Sequence, residues 1–268
     1  MNILNKIGNT PLMNIDNIYF KLEMFNPSGS IKDRVAKAMI LDYDNNNNCN
    51  SRTTIVEATS GNTGVSIAMV CATLGLKCKI CTPMSTSRVK VEMMKAYGAK
   101  VYDVYDTITE CVDSAKVWCS GKNHHYLDQF NNKNNLKAQI NMASEAFNSH
   151  GRITGFDAIV AGVGTGGTLM GLHSVFPHAE VFTIQVLYDE NIEGICDGVK
   201  LSLIPRGLQI NSILVTKEKA IETARWLAQK HGIHCGISSG ANYYASTVIK
   251  NKYKRILTVL PDDGNRYL

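Results

Sequence analysis

The sequence predicts an α/β protein whose strands lie in largely parallel sheets. Three observations carry that expectation. Between residues 54 and 128, short apolar strands alternate with amphipathic helices, and the alternation resumes after residue 158. Between strand and helix the chain repeatedly places small polar, glycine-bearing loops, at 59–64 and 162–168. Strand–helix–strand units cross over right-handed and lay their strands side by side in parallel. Such sheets collect ligands at the C-terminal ends of their strands, where these loops fall.

The 268 residues accommodate two modest domains or one large α/β domain. A hydrophobic share of 44% against 19% charged makes the chain globular rather than disordered. The net charge of +5 comes from scattered basic residues. The one dense group, Lys250, Lys252, Lys254 and Arg255, reads as a solvated helix end and not as a nucleic-acid patch. No stretch has the length of a membrane span, and Met1-Asn-Ile-Leu-Asn-Lys lacks a signal-peptide pattern. The eight cysteines are therefore expected to be reduced thiols of a cytosolic protein. Cys78-Lys-Ile-Cys81 falls in a strand, where positions three apart face opposite ways, so neither redox nor metal chemistry is expected there. His124 and His125 are set aside on the same ground, and His234 reads as a packed or surface histidine. With no paired C-x-x-C or H-x-x-x-H, no metal is expected.

Residues 7–12 form a turn and 18–23 a strand. The chain then reaches Asn26-Pro-Ser-Gly-Ser-Ile-Lys32-Asp-Arg34. Ser30 is an expected N-cap of a helix over 31–41, and the asparagine run at 44–48 reads as an exposed loop. Lys32 falls in the first helical turn, where the dipole disfavours an ammonium. That effect, with desolvation, lowers a lysine toward the pKa a Schiff base needs. On this stretch alone a solvated lysine is the simpler reading; the later loops reverse it.

Strand 54–58 enters Thr59-Ser60-Gly61-Asn62-Thr63-Gly64 and then helix 65–74. Backbone N–H groups at a helix start make an anion site, and this loop is richer in hydroxyls, amide and glycine than a turn requires. Strand 79–82, helix 87–97, strand 100–105, helix 108–119 and strand 125–128 follow, with Gln129 at the last strand's C-terminal end. Helix 136–147 leads toward a second domain. There strand 158–161 runs into Gly162-Val-Gly164-Thr165-Gly166-Gly167-Thr168, the strongest phosphate signal in the chain, and a helix from 169. Strand 181–186, an irregular stretch to 211, strand 213–215 and helix 217–230 come next. That helix gathers Ala220, Ile221, Ala224, Leu227 and Ala228 on a core face. A polar turn, Cys235-Gly-Ile-Ser238-Ser-Gly240, precedes another helix, and 255–260 is the last strand.

Gly162-x-Gly-x-x-Gly167 matches the dinucleotide fingerprint, which alone is a weak signal. A nicotinamide enzyme needs an acid at the end of the next strand, and Thr183-Ile-Gln-Val186 has none. A single phosphate fits better, and a phosphate-bearing cofactor with an aldehyde would engage Lys32.

Taken together, residues 26–34, 59–64, Gln129-Phe-Asn131, Gly164-Thr-Gly-Gly-Thr168 and Gly236-Ile-Ser-Ser-Gly240 stand in the order seen in pyridoxal-phosphate β-replacement enzymes. The chain resembles the cysteine synthases (O-acetylserine sulfhydrylases). Arg152-Ile-Thr154, Leu127-Asp-Gln-Phe-Asn131 and Gly232-Ile-His-Cys-Gly236 resemble the B-type members. The resemblance implies two three-layer α/β domains of the fold-type II, tryptophan synthase β-like kind. Residues 35–135 would form the smaller mobile domain, and 1–34 with 136–268 the larger cofactor-binding one. It implies pyridoxal 5'-phosphate joined to Lys32, which also acts as general base. Gly164, Thr165, Gly166, Gly167 and Thr168 would cradle the phosphate, Ser238 meet the pyridine nitrogen, and Asn62 contact the phenolic oxygen. Thr59, Ser60, Gly61, Asn62, Thr63 and Gln129 would hold the substrate α-carboxylate.

The implied reaction forms L-cysteine from O-acetyl-L-serine and sulfide through an α-aminoacrylate, in a cytoplasmic homodimer that a serine acetyltransferase could join. Alternatives are the same chemistry with another partner (S-sulfocysteine, cystathionine or lanthionine synthesis, or a serine or cysteine lyase), a non-catalytic relative, and a nucleotide-dependent oxidoreductase. The chain departs from the family at Asn131-Asn-Lys-Asn-Asn135, where relatives carry Asn-Pro. Segment 187–209, where only Glu193-Gly-Ile-Cys-Asp-Gly198 echoes the family's Gly-rich stretch, is shortened. The chain ends at Leu268, where relatives continue.

Overall fold

The structure is a computed structural model and describes residues 2–148, 155–188, 190–195 and 203–267. The chain forms two compact units: Met1–Ile7, Asn26–Asn135 and Arg266–Leu268 make the first, Gly8–Phe25 and Leu136–Asn265 the second.

In chain order the described residues begin with a short 3-10 turn, Ile3–Lys6, and the hairpin of β1 (Leu12–Ile15) and β2 (Ile18–Leu22). They continue through α1 (Lys32–Asn47), β3 (Thr54–Ala58), α2 (Asn62–Leu74), β4 (Lys77–Pro83), α3 (Arg88–Ala96), β5 (Lys100–Tyr105), α4 (Ile108–Trp118) and β6 (His124–Tyr126). Then come α5 (Lys133–Asn148), β7 (Ala158–Val160), α6 (Gly167–Val175), β8 (Glu180–Gln185), β9 (Asn211–Leu214), α7 (Lys217–His231), α8 (Ile237–Ile249) and β10 (Ile256–Leu260).

The first unit holds a four-stranded parallel sheet in the order β5-β4-β3-β6. β3 is buried along its whole length, as a central strand covered on both faces must be. α4 closes one side through Cys111 and Ala115, packed with Val56, Ala58 and Cys81. The second unit holds six strands in the order β1-β2-β10-β7-β8-β9. Only β1 runs antiparallel to its neighbour. Its core gathers Ile18, Phe20, Val160, Ile184, Leu227 and Ile256, with the Tyr243 ring set edge-on to Phe20. The α/β class with mostly parallel sheets stands as the alternation predicts.

Several local expectations are corrected. The asparagine run is helical: α1 continues to Asn47, with the Asn46 and Asn47 side-chain amides donating to the carbonyls of Asp42 and Tyr43. The turn comes only at Asn48, in the left-handed region. Ser30 is not the N-cap of α1; Ile31 occupies that position, and Ser30 Oγ accepts from the Lys32 N–H at 3.3 Å. Ser238 lies inside the first turn of α8 and not in a turn before it. Leu12, the last residue of the expected turn, instead opens the strand β1.

Candidate active site

The first unit brings the Lys32 stretch against the start of α2. The loop between β3 and α2 ends in Gly61, the N-cap of α2, which offers no side-chain capping bond. Its φ of 148° suits glycine. The N–H of Gly61 donates to Thr59 Oγ1 at 3.1 Å, holding the loop in a tight bend. Thr63 Oγ1 donates to Gln129 Oε1 at 2.7 Å, and Gln129 Nε2 donates to the Ala58 carbonyl at 3.2 Å. Gln129 is thus tied across the sheet end to the loop that the sequence singled out. Within the loop Ser60 is exposed, Asn62 half-buried, and Thr59 and Thr63 buried.

Lys32 opens α1 and is half-buried. Its neighbour Asp33, wholly buried, accepts from the Ser28 N–H at 2.7 Å and from Ser28 Oγ. Burial raises the Asp33 carboxyl above its ordinary value, against the opposing pull of Ser28, Ser66 and the Arg266 charge. Ser28 Oγ also lies 3.3 Å from Ser66 Oγ, and Ser66 donates to the Asn62 carbonyl at 3.1 Å. Arg266, almost fully buried, donates through Nη1 to Asn62 Oδ1 at 2.9 Å and through Nη2 to Ser28 Oγ at 3.5 Å. The opening of α1 and the opening of α2 are therefore bound into one polar network.

Beneath the loop, Glu57 is wholly buried in β3. Its carboxyl accepts from the Ala58 N–H at 2.9 Å and the Gln129 N–H at 3.3 Å. Desolvation pushes it up to about 8, and nearby Lys32 pulls the other way. The sequence reading passed over Glu57, Asp33 and Arg266. A carboxylate inside an otherwise apolar strand was the available signal for Glu57.

In the second unit, β7 leads into the glycine-rich loop and α6. Gly162 N–H donates to Asn242 Oδ1 at 2.8 Å, and Asn242 Nδ2 donates to the Val259 carbonyl at 2.8 Å. A Cβ on Gly164 would sit 2.7 Å from the Gly194 carbonyl oxygen, so no side chain fits there. Gly166, at φ 85°, is the N-cap of α6 and again supplies no side-chain cap. Gly167 N–H reaches Thr165 Oγ1 at 3.4 Å. Ser238, buried in the first turn of α8, lies one turn before Asn242 on the same helix face. α8 likewise starts behind a glycine, Gly236, without a side-chain cap. Thr168 is half-buried at the second position of α6.

The four thiols are free: Cys78 lies beside Cys71 of α2, whereas Cys81 packs against Cys111 of α4, so the C-x-x-C residues face apart. The His125 ring stacks on Tyr43 at 3.6 Å between centroids, and burial lowers its pKa. His124 Nδ1 lies 3.2 Å from the Lys122 carbonyl oxygen. Arg152-Ile-Thr154 and Cys196-Asp-Gly198 lie outside the described residues.

The sequence matches the family described as pyridoxal-phosphate dependent enzyme over residues 3–262. A cysteine synthase of Aquifex aeolicus is 36% identical over an alignment covering 99% of this chain and 90% of the relative. Among solved structures, an O-acetylserine dependent cystathionine β-synthase from Helicobacter pylori superposes with a TM-score of 0.92 at 29% identity, covering 100% of this chain and 97% of that one. A hydrogen sulfide-producing enzyme from Fusobacterium nucleatum gives 0.91 at 30% identity, covering 99% of both.

Proposed function

Because the chain belongs to the family of pyridoxal-phosphate dependent enzymes, we propose that it forms L-cysteine from O-acetyl-L-serine and sulfide. It is an enzyme of the transferase type, its cofactor is pyridoxal 5'-phosphate, and its chemistry is β-replacement on an amino acid. The substrate pair and the residue roles are our own reading.

The residues present fit the cofactor. Gly164 lets the loop pass close against the Gly194 carbonyl, and α6 starts behind Gly166 with no side-chain cap from that residue, the kind of helix start at which a phosphate would be held. Thr165, Gly167 and Thr168 complete that cradle. Ser238 would hydrogen-bond the ring nitrogen, and its hydroxyl, unlike a carboxylate, does not hold a proton there. Lys32 Nζ would hold the cofactor's aldehyde carbon. When bound, the cofactor supplies an electron sink that acidifies the substrate α-proton.

The chain's own residues do the rest. Thr59, Ser60, Gly61, Asn62 and Thr63, with Gln129, receive the α-carboxylate at the uncapped start of α2. Asn62 would also meet the cofactor's phenolic oxygen. Lys32 Nζ would take the α-proton as general base. One observation carries this reading: the Ser28–Ser66 and Arg266–Asn62 bonds fasten the opening of α1, with Lys32, to the carboxylate-binding opening of α2.

The test is product analysis of the holoprotein with O-acetyl-L-serine, L-serine, L-cysteine and O-phospho-L-serine, each with sulfide, thiosulfate or homocysteine. Cysteine from acetylserine and sulfide as the fastest pair supports the reading; faster turnover of another pair overturns it. Cystathionine formation is the second reading, favoured by the close superposition on the Helicobacter pylori enzyme. The same proposal places the enzyme in the cytoplasm as a homodimer that receives a serine acetyltransferase. Sedimentation and a pull-down with that enzyme test these. No helix among the described residues is long and apolar enough to cross a membrane.

A further inference from the structure

Arg266 touches no reacting group in the chemistry above and serves there only to fasten α1 to α2, yet its surroundings are specific. The side chain is 3% exposed. Its own carbonyl accepts from Ser87 Oγ at 3.0 Å, and the next residue, Tyr267, lies under the Lys90 ammonium at 4.2 Å from the ring centroid. Gly29, at φ 87°, admits the guanidinium closely: a Cβ there would meet Nη2 at 3.2 Å. A buried guanidinium is costly unless its donors are matched. Here Nη1 meets Asn62 Oδ1 and Nη2 approaches Ser28 Oγ, beside the Asp33 carboxyl.

A guanidinium has five donors and no acceptor. The group that Asn62 turns toward Arg266 must therefore be its oxygen. The amide nitrogen, a pure donor, is then the branch turned away from Arg266. Rotating the amide by half a turn would set N–H against N–H at the guanidinium, and would offer an oxygen where a carboxylate or phenolic oxygen is to be received. We propose that Arg266 is a positioning residue for Asn62: by occupying Oδ1 it fixes which side of the amide meets an anionic ligand at the start of α2. This rests on the reading above, in which Asn62 faces substrate and cofactor oxygens.

The experiment titrates holoprotein with L-alanine, which has no leaving group at its β-carbon and so reports binding alone, and follows the visible band of the bound cofactor. Thermal melting and cofactor content are recorded alongside. Arg266→Met is expected to weaken L-alanine about tenfold, the scale of one charge-assisted hydrogen bond. Arg266→Lys, which keeps a donor-only cation, is expected to restore affinity to within about threefold of the parent, on the same scale. In an Asn62→Ala background, Arg266→Met is expected to cause no further loss, because the group it positions is gone. Should Arg266→Met not fold, Arg266→Gln carries the test. Glutamine can pair with either orientation of the amide, so it must also weaken binding, and must lose that effect in the Asn62→Ala background. A loss of equal size in both backgrounds, or parent-like binding by Arg266→Met or Arg266→Gln while Asn62→Ala is weakened, overturns this proposal alone. Parent-like binding by Asn62→Ala overturns it together with the reading on which it rests.

Discussion

Two kinds of helix start coexist in this chain. α4 begins behind Thr107, whose Oγ1 accepts from the Glu110 N–H while Glu110 accepts in return from the Thr107 N–H, a complete capping box. α7 begins behind Thr216, which accepts from the Lys219 N–H at 3.2 Å. α2, α6 and α8 begin behind glycines that give no side-chain cap. Each unit contains both kinds. First-turn N–H groups need partners. Where a threonine supplies them, the helix is finished as structure. Where a glycine stands, the N-cap residue offers no side chain to them, and these are the starts that carry Asn62, Thr168 and Ser238.

The comparison can be pressed in order of expected effect. Lys32 also stands at a helix start without a side-chain cap. Lys32→Ala should lower turnover by about a thousandfold or more, on the scale of a lost general base. Steady-state rates check this, and a loss under tenfold would remove Lys32 from the chemistry. Next, Thr63→Val deletes the 2.7 Å bond to Gln129. It should raise KM for O-acetyl-L-serine about tenfold, the scale of a buried polar partner left unmatched. An unchanged KM would separate the loop from substrate.

A smaller effect is expected at the finished starts. Thr107→Ala or Thr216→Ala should cost about 1 kcal/mol of stability with kcat/KM unchanged. Denaturant melts and initial rates measure both, and lost activity at either site would erase the distinction drawn above.

A pH slope is expected as well, spread over a wide window. Buried Glu57, beneath the α2 loop, keeps its proton in the folded state up to about 8, against an ordinary value of 4.5. Between those values the folded chain binds a proton that the unfolded chain has released. This group therefore makes stability fall as pH rises through the window. Glu57→Gln should flatten that fall, read as unfolding midpoints across the window; an unchanged slope would assign the proton elsewhere.

The two loops were legible in sequence because glycine and hydroxyl residues between strand and helix have a backbone reason to be there. β3 was legible to its ends, since a run of five buried residues leaves little choice. The β1–β2 hairpin was readable but missed. Asp16 and Asn17 take φ of 49° and 64°, the left-handed pair that a two-residue turn needs, and both are residue types that tolerate it. The asparagine helix was misread because low propensity is a weak prior. Side-chain amides bonding back to carbonyls four residues earlier let α1 continue. Arg266 could not have been found by local pattern. Its partners Asn62 and Ser28 lie 204 and 238 positions away, and only the fold brings them together.

The central claim is that glycine-capped starts are kept for the cofactor and substrate, whereas threonine-capped starts are not. It is tested most directly by equilibrium dialysis of pyridoxal 5'-phosphate against the parent, Gly164→Ala and Thr216→Ala proteins. The added Cβ at Gly164 meets a backbone oxygen at 2.7 Å, so the loop must shift. Gly164→Ala is predicted to bind the cofactor at least about tenfold more weakly, with Thr216→Ala indistinguishable from the parent. Parent-like affinity in Gly164→Ala, or an equal loss in both variants, would contradict the account.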